Sequence, residues 1–242
     1  MRKLIAAANW KMNGDVALVD AFAAQNWPQN ERIETVFGLP ATLLSTAQAQ
    51  GLAQLAGQDV SAHESGAHTG EISAAMLKAA GCTYAIIGHS ERRSDHGEDE
   101  ALLIEKWQQL KAQGLAVIYC IGESLAAHDA GETAETLRAQ LQPIIEAGLI
   151  DEQTVIAYEP VWAIGTGKAA TPEYAQNAHA EIRQILAEKH ARIAPSLRIL
   201  YGGSVKADNA SGLIAAQDID GFLVGGASLD VRSFLGIIEA MT

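Results

Sequence analysis

The sequence of 242 residues has only two cysteines, Cys82 and Cys120, so no disulfide framework organises it. Both lie in apolar stretches, which fits a reducing compartment and leads us to expect a cytoplasmic protein. No apolar run approaches the roughly 18 residues needed to cross a bilayer, so no membrane partner is expected. The start, Met1-Arg2-Lys3-Leu4-Ile5, lacks the long apolar region and cleavage site of a secretory signal. Basic residues are scarce: 17 Lys and Arg stand against 29 Asp and Glu, a net charge of −12. An acidic chain without a basic run is a poor partner for nucleic acid. Linkers, low-complexity tracts and blocks of like charge are all missing, so residues 1–242 read as one domain.

What is present is a recurrent pattern. Short apolar runs occur at Leu4 to Ala8, Glu34 to Gly38, Leu55 to Val60, Tyr84 to Gly88, Ala116 to Ile121, Thr154 to Glu159, Arg198 to Gly202 and Gly221 to Gly225. The most apolar of them read as strands buried on both faces. Helix-period segments lie between them. Glu100 to Gln113 sets Leu102, Leu103, Lys106, Trp107 and Leu110 at helical spacing before Gly114. Thr171 and Pro172 offer a cap and a first helical residue, followed by Ala178, Ile182, Ile185 and Leu186 along one face. Asp208 is placed to start a short helix towards Ala216. Strand and helix alternating eight times in one α/β domain favour a closed (β/α)8 barrel of parallel strands over an open doubly wound sheet.

In such a barrel the residues just after each strand share one face, where chemistry sits. Asn9 and Lys11 follow the first strand, and a lysine there suits an anion, although most lysines are simply solvated. His89 opens a turn into a helix after the fourth strand, within Gly88-His89-Ser90-Glu91-Arg92-Arg93. It is a candidate acid, base or neutral hydrogen-bond donor, against the alternative of a satisfied core histidine. Glu91 and Arg92 are candidates to pair and steady Lys11 or the loop, and Arg93 reads as an ordinary ion-pair residue. Glu159 ends a buried strand, where a carboxylate is costly without a task. The apolar stretch from Val161, with glycines at 165 and 167, reads as a lid. Gly165-Thr166-Gly167-Lys168 is not a nucleotide loop: Trp162 stands where its first glycine belongs and Ala169 where a hydroxyl residue belongs. Gly202-Gly203-Ser204 and Gly225-Gly226 end the last two strands, the expected place for phosphate in a barrel. The remaining histidines lack metal-ligand spacing, and neither metal nor cofactor is expected.

Taken together, these segments resemble the triose-phosphate isomerase family. The resemblance is carried by Asn9-Trp10-Lys11-Met12-Asn13, by the motifs at 88–93, 120–123, 201–205 and 223–228, and above all by Ala157-Tyr158-Glu159-Pro160-Val161-Trp162-Ala163-Ile164-Gly165-Thr166-Gly167-Lys168. It implies a small phosphorylated triose as substrate. It also implies Glu159 as base, His89 as electrophile and Lys11 as the cation that stabilises an enediolate. Asn9, Lys11, Gly165, Ser204, Gly225 and Gly226 would bind substrate. The segment from Ser61 to Ile72 resembles the family's interlocking loop, implying a homodimer with Thr69 as the reaching residue. His68 and His96 stand where aromatic residues are common in that family. Another phosphosugar isomerase or epimerase, and a catalytically silent barrel, are the competing expectations.

Overall fold

Apolar residues on both faces of the strands decide the architecture. In β1 (Leu4–Asn9), Ile5 and Ala7 point one way and Ala6 and Ala8 the other; in β5 (Ala116–Ile121), Ile118 and Cys120 oppose Val117 and Tyr119. Such strands are stable only when both faces are covered. The computed structural model describes residues 2–164 and 170–242. It covers both faces by closing the sheet. The other strands are β2 (Ile33–Leu39), β3 (Leu55–Gly57), β4 (Cys82–Ile87), β6 (Val155–Tyr158), β7 (Arg198–Tyr201) and β8 (Gly221–Val224). All are parallel, paired in chain order, and β8 pairs back to β1 to close an eight-stranded barrel. One apolar cluster, including Ile5, Val36, Ile86, Ile118, Val155 and Leu200, fills its interior. A larger one lies between the sheet and the helices.

The described helices are α1 (Val16–Ala23), α2 (Ala41–Ala49), α3 (Ala74–Ala79), α4 (Ser90–His96), α5 (Glu100–Ala112), α6 (Leu125–Ala130), α7 (Thr133–Glu146), α8 (Pro172–His190), α9 (Ala207–Ile214) and α10 (Val231–Glu239). Local chemistry sets their ends. Asp99 caps α5 by accepting from the Leu102 N–H at 2.9 Å, and Gly114 leaves the helix at a left-handed φ of 67°. Thr171 caps α8 with Pro172 in its first turn, and Ala178, Ile182, Ile185 and Leu186 are buried as their spacing predicts. Lys106, on the buried face of α5, is tolerated there because Asp59 and Glu98 meet its ammonium at 2.7 and 2.5 Å.

Most strand ends differ from the sequence expectation by a residue or two, β4 for instance beginning at Cys82 rather than Tyr84, and two boundaries have a visible physical cause. β3 stops at Gly57 rather than Val60, and its register against β4 shifts between Leu55 and Ala56. Beyond it Gln58 reaches Gly38 O with its side-chain amide, at 3.0 Å. α9 begins at Ala207 rather than Asp208, because the Asn209 side chain accepts from the Lys206 N–H at 2.8 Å and fixes the entry. Both cysteines are buried free thiols. No described helix is long and apolar enough to cross a membrane.

Candidate active site

The C-terminal ends of the strands bring the three expected groups to one cleft of about 280 Å³, lined among others by Asn9, Lys11, His89, Glu159, Ser204 and Gly225. Lys11 follows β1 at a left-handed φ of 51°, a strained conformation for a residue with a side chain. Asn9 supports it, its Oδ1 accepting the Lys11 N–H at 3.1 Å. The Lys11 ammonium lies 2.5 Å from Glu91 Oε1, the steadying contact expected of Glu91. Arg92 departs from expectation. It pairs with Asp59 and Glu98 at 2.8 and 2.6 Å instead of Glu91, because it points back towards β3. Arg93 makes its ion pair with Glu100 at 2.6 Å and also donates to Gly88 O at 2.8 Å.

His89 is the N-cap of α4. Its Nδ1 accepts the Glu91 N–H at 3.2 Å, which assigns the ring proton to Nε2. Nε2 faces Glu159 Oε1 at 2.9 Å. Burial, with some help from Lys11, works against charge on this ring. The charge and hydrogen bond of Glu159, together with Glu91, outweigh them and hold its pKa above the ordinary imidazole value.

Glu159 is 2% exposed. Its second oxygen accepts the Ser90 N–H at 3.0 Å. Its own N–H donates to Ile121 O at 2.7 Å, and the neighbouring backbone passes so close that a Cβ on Gly122 would lie 1.7 Å from Glu159 O. Only glycine fits at 122. Burial first, then the Glu159 charge, holds the Cys120 thiol far above its usual pKa, so it stays neutral.

Ser204, Gly225 and Gly226 line the same cleft, and a Cβ on Gly226 would meet nothing within 4 Å. Gly165 and the following residues of the expected lid, through Lys168, lie outside the described residues. Of that segment the structure describes a 3-10 turn, Val161–Ala163, and Ile164. Among the described residues no group of three or more His, Cys, Asp or Glu is placed to hold a metal ion.

Sequence reasoning assigned no role to Ser90, Gly122, Cys120 or Glu123. Glu123 is fully buried and accepts from Tyr158 Oη at 3.0 Å, Trp162 Nε1 at 2.7 Å and Tyr174 Oη at 2.9 Å. The signal was available: the cost of a carboxylate at the end of a buried strand applies to Glu123 as it does to Glu159.

A carboxylate, an imidazole and an ammonium converging at the C-terminal mouth of a closed parallel barrel define a (β/α)8-barrel enzyme equipped for acid–base chemistry. Comparison with known proteins narrows the class. The family model described as triosephosphate isomerase matches residues 4–241. A triosephosphate isomerase of Dichelobacter nodosus is 64% identical over 241 residues, covering 100% of both chains. One of Halorhodospira halophila is 51% identical over 246 residues, covering 99% of this chain and 98% of its own. One of Delftia acidovorans is 47% identical over 248 residues, covering 99% of each. The chain belongs to the triosephosphate isomerase family.

Proposed function

We propose that this chain interconverts D-glyceraldehyde 3-phosphate and dihydroxyacetone phosphate, the step that serves glycolysis and gluconeogenesis. The observation that carries the proposal is the Glu159 carboxylate hydrogen-bonded to His89 beside Lys11 in one cleft. Glu159 takes a proton from the carbon next to the substrate carbonyl. The electron pair moves onto the carbonyl oxygen, giving an enediolate. His89, with its proton on Nε2, donates a hydrogen bond to the oxygens and moves a proton between them. Lys11 supplies fixed positive charge to the developing oxyanion, and donors held in place before the reaction stabilise it without reorganisation. Glu159 then returns its proton to the adjacent carbon. Atoms and electrons balance within the substrate, so the step needs no oxidant or reductant.

Asn9, Lys11, Gly165, Ser204, Gly225 and Gly226 are assigned to substrate, the last four to its phosphate. A protein of charge −12 holds an anion only through such local donors. Glu159 rests on the Ser90 N–H, so it must leave that donor to reach a substrate carbon.

A dehydrogenase-coupled assay tests this. Wild-type protein turns over rapidly, and Glu159→Gln binds ligand but loses about 10²–10⁴-fold in turnover. Near-normal turnover in that variant overturns the base assignment, and an inert, folded wild type overturns the function.

The same proposal includes a single-domain, cytoplasmic homodimer. Its support is a groove of about 670 Å³ beside Lys11 and Met12, and the segment Ser61 to Ile72, which projects with exposed residues from a base closed by Ser61 N–H to Ile72 O at 2.8 Å. Met12 is 97% exposed at the edge of that groove, an apolar side chain that a second copy would cover. Light scattering should give the dimer mass, and deletion of residues 65–70 should give the monomer mass. A monomeric wild type overturns this part.

A further inference from the structure

Three rings meet beside the turn that follows Glu159. His128, on α6, stacks on Trp162 with centroids 4.3 Å apart and planes 20° apart. Tyr174, on α8, stands edge-on to both, at 5.2 Å from His128 and 5.5 Å from Trp162. Their polar edges lead to one acceptor. Trp162 Nε1 and Tyr174 Oη both donate to Glu123 Oε1. Tyr174 has a single hydroxyl proton, and the carboxylate can only accept, so that proton is committed to Glu123. His128 Nδ1, 2.9 Å from the same hydroxyl, is therefore the donor, as is Thr133 Oγ1 at 3.1 Å. The hydrogen-bond chain fixes the His128 tautomer and, with it, the plane that covers Trp162.

The backbone makes this arrangement relevant to the base. Glu159 N–H donates to Ile121 O and Val161 N–H to Glu123 O at 3.1 Å. The segment carrying Glu159 is thus tied by its main chain to the end of β5, and Trp162 is the side chain gripped three residues further on. Glu123, His128 on α6 and Tyr174 on α8 are among the groups that hold it. Glu159 in this pose spends both oxygens on Ser90 N–H and His89.

We propose that His128 is a positioning residue for the base: its ring holds Trp162 in the resting pose and so sets how readily Glu159 leaves Ser90 for the substrate. The inference rests on the isomerase reading of the cleft. Weakening the resting pose enlarges the fraction of molecules competent to engage substrate, and apparent affinity rises in proportion. It also slows the return that frees product.

The test uses full-length His128→Ala, His128→Phe and His128→Gln, with steady-state kinetics, thermal melting and the Trp162 indole N–H resonance, identified by its loss in Trp162→Phe. His128→Ala is expected to lower KM for both triose phosphates about threefold, from the loss of one aromatic stack, and to lower kcat. Its Trp162 indole resonance should move. His128→Phe, which keeps a ring but no donor, should stay near the wild-type KM. His128→Gln, which keeps an N–H donor but no ring, should follow alanine and serves if the alanine variant does not fold. An unchanged or raised KM in the ringless variants overturns the inference, as does a phenylalanine variant that behaves like alanine. An inert wild type would instead overturn the isomerase reading, and an indole resonance indifferent to the ring would then overturn the positioning role by itself.

Discussion

Two histidines are almost equally buried, and their surroundings shift them in opposite directions. His89, at the barrel mouth, is 5% exposed; His179, on α8 against the sheet, is 0% exposed. Burial disfavours charge on both rings. At His179 little opposes it. Its Nδ1 faces the Asp218 carbonyl at 3.2 Å, its Nε2 has no hydrogen-bond partner among the described residues, and Tyr158 and Tyr201 present rings rather than charges. Burial, with Arg183 adding to it, pulls its pKa to about 3. At His89 the Glu159 carboxylate meets Nε2 and reverses the sign. The mouth keeps a proton available at a hydrogen-bonded carboxylate–imidazole pair, while the seam between helix and sheet excludes one. The partner, not the depth, decides which histidine is available for chemistry.

The larger effect expected from this comparison is on stability in acid. An unfolded His179 binds a proton near pH 6.5, and the folded one does not until about pH 3. Between those values the unfolded state holds more protons, so stability falls as pH falls through the window. The full penalty from this one group is on the order of 4 kcal/mol, reached near the lower end. Between pH 7 and pH 5 it amounts to about 2 kcal/mol. His179→Asn cannot titrate there. Urea unfolding at pH 7 and pH 5 should therefore show a smaller loss in the variant than in wild type, by about that amount, even though the variant starts lower from poorer packing. Equal losses in the two proteins would mean that His179 is not held neutral.

Much of the barrel was legible in the sequence because its rules are local. Short apolar runs between helix-period segments located all eight strands, and a cap such as Thr171 needs only its own neighbours. The end of β3 was not legible, since it depends on the register slip against β4 and on where Gln58 turns its amide. The site divides the same way. Lys11, His89 and Glu159 announce themselves at strand ends, and the structure gathers them into one cleft with Asn9, Ser204, Gly225 and Gly226. Their supports are relational. Ser90 acts through a backbone N–H, which no side-chain pattern reveals. Gly122 matters because Glu159 O passes beside it, and Glu123 draws Tyr158, Trp162 and Tyr174 from as far as 51 positions away. The pairing of Arg92 with Asp59 rather than Glu91 is likewise set by where β3 ends.

The smaller effect isolates the partner itself. In Glu159→Gln the His89 ring keeps its burial and its Glu91 N–H contact but loses the charge at Nε2. Burial then works with less opposition, so the His89 pKa should fall. The ring resonances of His89 followed by NMR between pH 4 and pH 9 provide the measurement, with His179 as an internal reference whose resonances should not move. A His89 titration at or above its wild-type position would show that some other group, Glu91 being the nearest carboxylate at 3.6 Å from Nδ1, holds the proton there. The contrast between the two histidines would then rest on Glu91, and the electrostatic part of the case for Glu159 as the partner of His89 would fail.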